Sequence, residues 1–173
     1  PAVKKNVAFP DDLIKKLAGV PLIQRVIENA CRAFSLAQVY VVTDSEEIGL
    51  ICRRNNVACL YDRDLRLDPE GYLESLRPHI QPLADRWRDI LVLSPYVPLI
   101  REGELREAYR HYLERGAELL VPVSRAFFRP FSPWARPVER IFHDGLEQEF
   151  AIESRAFTIF RSNLLRESPD YPV

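Results

Sequence analysis

Methionine is absent from this 173-residue chain, glycine is scarce at six, and cysteine is rarer still at three. Each shortage excludes something. The glycines stand singly at Gly19, Gly49, Gly71, Gly103, Gly116 and Gly145. Loops that wrap phosphates with backbone N–H groups need glycines in P-loop or GxGxxG spacing, so both of those motifs are ruled out. Cys31, Cys52 and Cys59 are odd in number, lack CxxC spacing and have no histidine close by. They read as buried reduced thiols of a cytoplasmic protein, not as a disulfide frame or a zinc site. Charge of one sign is missing too: 24 basic against 25 acidic residues leaves −1. That is too little to neutralise a run of phosphates and argues against a nucleic-acid binder. No apolar run approaches the roughly 18 residues of a membrane-crossing helix. Pro1-Ala2-Val3-Lys4-Lys5 lacks the apolar core of a signal peptide. The missing methionine implies an initiator removed from in front of Pro1, or trimmed ends.

What is present is a globular composition, 47% hydrophobic and 28% charged, of a length that fits one domain with an adequate core. Strands and helices alternate along it. Asn6-Val7-Ala8-Phe9, stopped by Pro10, reads as a first strand. Leu22, Ile23, Val26, Ile27, Ala30, Cys31 and Phe34 recur at helical spacing, predicting an amphipathic helix over 21–34. Val39-Tyr40-Val41-Val42 is a β-branched run. Thr43-Asp44-Ser45-Glu46-Glu47 is a helix start, with a capping residue ahead of two acids and a helix through Asn55. Val57–Tyr61 reads as the next strand. A helical stretch over about 70–88 is expected to split or kink at Pro78 and Pro82. Asp89–Leu93 reads as a strand, 102–115 as a helix closed by Gly116, and Leu119–Val123 as another strand. After 124 the pattern changes to aromatics among prolines, a turn at Asp144-Gly145 and a last strand over 156–160.

Strands separated by helices predict a single α/β domain over 1–173 with a mostly parallel sheet and helices on both faces. A β and aromatic extension occupies about 124–160. Ligands of such sheets bind beyond the carboxyl ends of the strands. That places the candidate site among 10–18, 43–45, 62–68 and 94–101.

Three motifs carry a resemblance to a known family. Leu17-Ala18-Gly19-Val20-Pro21-Leu22-Ile23, then Val41-Val42-Thr43-Asp44-Ser45-Glu46-Glu47-Ile48, then Leu93-Ser94-Pro95-Tyr96-Val97-Pro98-Leu99-Ile100 resemble the acylneuraminate and ketodeoxyoctulosonate cytidylyltransferases. The family patterns are L-x-G-K-P-L-I, V-S-T-D-x-E-E-I and L-Q-P-T-S-P-L-R. A fainter likeness extends to Ala156–Phe160. The resemblance implies a Rossmann-like nucleotidyltransferase fold of the nucleotide-diphospho-sugar transferase type. It also implies transfer of CMP from CTP to an acidic keto-sugar for surface glycans, in the cytoplasm, with Mg²⁺ as cofactor. Its partners would be the nucleotide, the acidic sugar and a second copy of the chain.

The chain departs from the family where the triphosphate is held. Aligned without gaps from Pro1-Ala2, the arginine of the loop P-A-R-x-G-S-K falls on Val3 and its lysine on Val7. Its serine falls on Asn6, and a later lysine on Asp12. With Asn6–Phe9 as first strand, the preferred alignment here, the loop is nearly absent. Either way the cationic cradle is gone, and Asp11 and Asp12 repel a triphosphate unless a metal lies between them. The cytosine-reading amide is Ser94 here, the terminal arginine is Ile100, and the chain stops at Val173 before the family's acidic metal-binding segment. The expectation is a cytidylyltransferase-like protein, with a catalytically inactive nucleotide-, sugar- or partner-binding homologue as the alternative. No catalytic residue and no resident metal ligand can be named.

Candidate nucleotide contacts are Lys15, Lys16, Arg63 and Ser94. Lys15 and Lys16 read first as a solvated helix face and second as phosphate contacts, and Arg63 reads equally as an ion-pair partner of Asp62 or Asp64. Ser94 can still form one or two hydrogen bonds to a base. Asp44 reads first as a helix N-cap worth about 1 kcal/mol and second as a ligand-binding acid. His79, His111 and His143 are scattered singly and are assigned to no metal. Phe127, Phe128, Phe131 and Trp134 form a stretch too apolar for a solvent loop; core packing is one reading and a subunit interface the other, and the resemblance, which implies homodimers built from this part of the chain, favours the interface.

Overall fold

A computed structural model describes residues 1–4, 11–68, 72–127 and 149–167. Its first motif is a hairpin. β1 (Lys16–Leu17) pairs antiparallel with β2 (Val20–Pro21), and the two turn residues Ala18 and Gly19 have φ of 49° and 80°. Two successive left-handed residues are the demand of a type I′ turn, which explains a glycine in the second of the two places. The chain then enters α1 (Leu22–Ala33), whose Ile23, Val26 and Ile27 are buried. Arg25 reaches back to fasten the hairpin, donating from Nη2 to Leu17 O at 2.6 Å.

β3 (Tyr40–Thr43), α2 (Glu46–Arg54) and β4 (Ala58–Tyr61) form a β-α-β unit in which β3 and β4 pair in parallel, Val41 opposite Cys59. α3 (Tyr72–Ala84), β5 (Asp89–Leu93) and α4 (Glu102–Arg115) follow. Gly116, at φ 60°, ends α4 as the sequence predicts. Beyond it lie β6 (Leu119–Leu120), β7 (Val123–Phe127), β8 (Glu149–Glu153), β9 (Phe157–Arg161) and a short α5 (Leu164–Glu167).

Helices cover both faces. On β3, Val41 packs with Ile23, Ile27, Ile48 and Cys52 of α1 and α2, while its neighbour Val42 packs with Leu76 and Ile80 of α3. Adjacent strand residues point to opposite faces, so both faces of β3 are buried, and its run of apolar residues has this cause. β5 divides in the same way: Ile90 and Val92 face α3, and Leu91 and Leu93 face Leu105 and Tyr112 of α4. Each fully buried aliphatic side chain contributes about 1.5–3 kcal/mol.

The structure departs from the sequence reading at four places. The position beside the end of β3 is held by Ala2, which bridges Thr43 in parallel and donates its N–H to Val42 O at 2.7 Å. The expected first strand over 6–9 lies outside the described residues. α3 is continuous through Pro78 and Pro82. Both prolines are exposed and four apart, so the carbonyls they leave unpaired open on one solvated face where water serves them. The pairing is also more mixed than the strand–helix alternation predicts. β9 lies between β5 and β6, antiparallel to both, and β7 pairs antiparallel with β8. A strand that arrives after a long excursion needs no helical crossover and is free to insert in this sense. Finally, the N-cap of α2 is Ser45, whose Oγ accepts from Ile48 N–H at 3.4 Å, and not Asp44. The Asp144-Gly145 turn lies outside the described residues.

Two tyrosines tie α4 to the start of β5. Tyr112 donates to Asp89 Oδ1 at 3.1 Å and Tyr109 to Oδ2 at 3.2 Å. Burial, then the bond to Asp89, pushes the Tyr112 phenol up to about 12. A raised phenol favours the neutral folded form, so its contribution is complete below the unfolded value of about 10 and is lost as pH climbs toward the folded one. Calorimetry across this alkaline window is expected to show the melting temperature falling, with Tyr112→Phe flattening the slope by about one proton. An unchanged slope contradicts the bond. At Ala2, Thr43→Val is expected to lower stability by about 1–3 kcal/mol in urea unfolding, because it deletes a buried hydroxyl bonded on both sides. Thr43→Ser, which keeps the hydroxyl, loses less.

Candidate functional site

The carboxyl ends of β3 and β4, with the segment leaving Ala2, form one charged mouth. Its frame is the fully buried Thr43. Thr43 Oγ1 donates to Ala2 O at 2.6 Å and accepts from Ser45 N–H at 3.2 Å. These bonds place Lys4 beside Asp44, and Lys4 N–H donates to Asp44 Oδ1 at 2.7 Å. Asp44 is 6% exposed, so its carboxylate is pinned by backbone instead of projecting freely toward a ligand.

The Lys4 ammonium is clasped by acids, at 2.5 Å from Glu47 Oε2 and 3.4 Å from Asp11 Oδ1. The hydrogen bond it donates to Glu47, ahead of that to Asp11, raises the Lys4 pKa above its ordinary value. On the β4 side, Asp62 accepts from Asp64 N–H at 2.9 Å and lies 3.1 Å from His79 Nε2 of α3. Asp62, one of the two carboxylates the sequence offers Arg63, thus also serves a turn and a histidine. Arg63 itself is exposed at the same strand end.

Lys15 and Lys16 are exposed, but on the hairpin and not on a helix. Ser94 follows β5 directly. Its N–H donates to Ala156 O at 2.9 Å and its Oγ accepts from Tyr96 N–H at 3.3 Å, which leaves the hydroxyl proton for a further acceptor. Phe127 closes β7; Phe128, Phe131 and Trp134 lie outside the described residues.

Lys4 and His79 are the mouth residues that sequence reasoning missed. The ungapped alignment from Pro1-Ala2 carried the signal for Lys4, since it puts the loop directly after the residue that pairs with β3. No local signal couples His79 to Asp62, because α3 brings them together from different elements. Among the described residues no group of three His, Cys, Asp or Glu could hold a metal ion. One acidic atom is conspicuous: Asp12 Oδ1 is buried with no hydrogen-bond partner among the described residues.

Comparison with known proteins agrees with this architecture. The model of the MobA-like NTP transferase domain matches residues 13–161. The 3-deoxy-manno-octulosonate cytidylyltransferase of Francisella tularensis subsp. holarctica is 24% identical over 147 residues, which cover 83% of this chain and 53% of that protein. The Francisella philomiragia protein of the same name is 26% identical over 116 residues, covering 66% and 45%. The chain therefore spans about half the length of these relatives. Among solved structures, a CMP:2-keto-3-deoxy-manno-octonic acid synthetase complexed with CTP superposes with a TM-score of 0.59 at 16% identity, over 96% of this chain and 73% of that one. A cytidylyltransferase from Leptospira borgpetersenii superposes with a TM-score of 0.62 at 14% identity, over 95% and 59%. These likenesses are of fold. The strand–helix order, the mouth at the strand ends and the match over most of the chain agree: it belongs to the MobA-like NTP transferase domain family and is related there to the cytidylyltransferases.

Proposed function

We propose that the protein transfers CMP from CTP to the anomeric hydroxyl of an acidic keto-sugar. The sugar oxygen attacks the α-phosphorus, a new P–O bond forms, and the bond to the bridging oxygen breaks. Pyrophosphate leaves with that electron pair, and the hydroxyl proton passes to solvent or to a carboxylate at the mouth. The observation that carries this reading is the set of polar side chains gathered at the carboxyl ends of β3 and β4, where sheets of this class take their ligands. Relatives named for CMP transfer to an acidic sugar supply the substrate class.

Within this reading Arg63, Lys15 and Lys16 supply the positive charge near the phosphate oxygens, and Ser94 supplies a hydrogen bond to the base. Mg²⁺ belongs to the nucleotide as substrate. A hard cation already bound to phosphates needs only one or two protein carboxylates, and Asp12, with its unpartnered oxygen, fits that need. Its chemistry there is neutralisation of the charge that Asp11 and Asp12 otherwise oppose.

One observation favours the rival reading of a homologue that binds without catalysis. The Lys4 ammonium is already engaged by Glu47 and Asp11, so the cation nearest the sheet is not offered to a triphosphate. The two readings separate in one titration. CTP with Mg²⁺ is expected to raise the melting temperature saturably, with pyrophosphate released once an acidic keto-sugar is added. Arg63→Ala is expected to weaken CTP by about tenfold, the worth of one charge-assisted bond. A flat response to every nucleotide contradicts the synthase reading, and binding without pyrophosphate supports the rival.

A further inference from the structure

The turn that follows β4 is held at more points than a connection requires. Asp62 N–H donates to Thr43 O at 2.9 Å, and Leu65 N–H donates to Asp62 O at 3.2 Å. Asp62–Leu65 is therefore a β-turn with Arg63 and Asp64 as its two central residues. Leu65 is buried and packs in one cluster with Leu76 and Ile80 of α3. Backbone bonds and this apolar side chain already dock the turn, without the Asp62 carboxylate.

The carboxylate is engaged nonetheless, and on both oxygens. Oδ1 accepts from Asp64 N–H at 2.9 Å, which closes an Asx turn inside the β-turn. Oδ2 lies 3.1 Å from His79 Nε2, the imidazole 18% exposed and the acid 36%. An ionised carboxylate only accepts, so the contact requires a proton on Nε2, in the neutral ring as in the charged one. The ring is well anchored. His79 stands in the middle of α3, which is continuous over Tyr72–Ala84, and Leu76 and Ile80 on the same helix are buried.

A contact to an acid this exposed adds little to stability, because water replaces the imidazole when it is removed. Its effect is on orientation. One hydrogen bond to Oδ1 leaves the carboxylate able to rotate about its own bonds, and a second contact on Oδ2, from a different element, fixes its plane. The Asp64 N–H that meets Oδ1 belongs to the peptide joining Arg63 to Asp64. A fixed carboxylate therefore fixes that peptide, and with it the direction in which Arg63 leaves the backbone.

We propose that His79 is a positioning residue of the nucleotide site: through Asp62 it holds the Arg63–Asp64 peptide in the orientation that presents Arg63 to a phosphate oxygen. The proposal rests on the reading of the mouth as a nucleotide site. Setting the direction of a cation before the ligand arrives removes an ordering cost from binding.

The test measures affinity for CTP with Mg²⁺ by calorimetry in the native chain, His79→Gln, His79→Leu, Arg63→Ala and the double variant His79→Leu with Arg63→Ala. Glutamine keeps an N–H donor, leucine keeps apolar bulk, and both are good helix formers. His79→Leu is expected to weaken CTP by several-fold, up to the loss of about tenfold given by Arg63→Ala. His79→Gln is expected to recover most of the affinity, and the double variant to bind no more weakly than Arg63→Ala alone. In the absence of nucleotide, amide exchange at Asp64 is expected to quicken by about tenfold in His79→Leu, with the melting temperature close to native. Native CTP affinity in His79→Leu overturns the proposal and leaves the nucleotide reading standing. So do equal losses in the glutamine and leucine variants, additive losses in the double variant, or a collapse of the His79→Leu melting temperature, each of which makes the contact a determinant of packing. A native chain that binds no CTP overturns both.

Discussion

The pairing of Ala2 with the end of β3 is the constraint on which the rest of the mouth depends. One backbone bond to Val42 O and one hydroxyl bond from the buried Thr43 hold the chain start against the sheet. From that anchor the next residues reach Asp44 and the Lys4 ammonium falls between Glu47 and Asp11. Ala2 also lines the apolar cavity between β3 and β5, and so stands between that space and the charged mouth at the carboxyl ends of the strands.

Much of the fold was legible because its signals are local. The apolar spacing of α1, the β-branched run of β3, the five residues of β5 and the glycine that ends α4 each follow from a pattern a few residues long. What was not legible depends on partners distant in sequence. β9 settles between β5 and β6, and no local pattern reports which edge a late strand will join. The continuity of α3 turns on which way Pro78 and Pro82 face, a matter of tertiary packing. Asp44 and Ser45 are both good capping residues, and the choice went to Ser45 because Asp44 had a better donor in Lys4 N–H, supplied from forty residues away.

The candidate residues differ in how far their structural setting follows from the sequence. Strand ends located the mouth, and Arg63 and Ser94 stand where that argument put them. The lysines do not keep their expected setting: Lys15 and Lys16 sit on a hairpin, while Lys4, which no local pattern marks, lies between Glu47 and Asp11. Acids outnumber bases around it. The electrostatics of this mouth therefore favour a nucleotide that brings its own cation over a bare triphosphate.

Nitrogen-labelled NMR of the chain titrated with CTP and Mg²⁺ tests the central claim most directly, because it reports where the ligand sits as well as whether it binds. The account predicts that the amide signals of Lys4, Asp44, Arg63 and Ser94 move together and saturate at one concentration, while those of Tyr40 and Leu91, which line the apolar cavity between β3 and β5, stay in place. Movement confined to Tyr40 and Leu91, or no movement at the strand ends at saturating nucleotide, would contradict it.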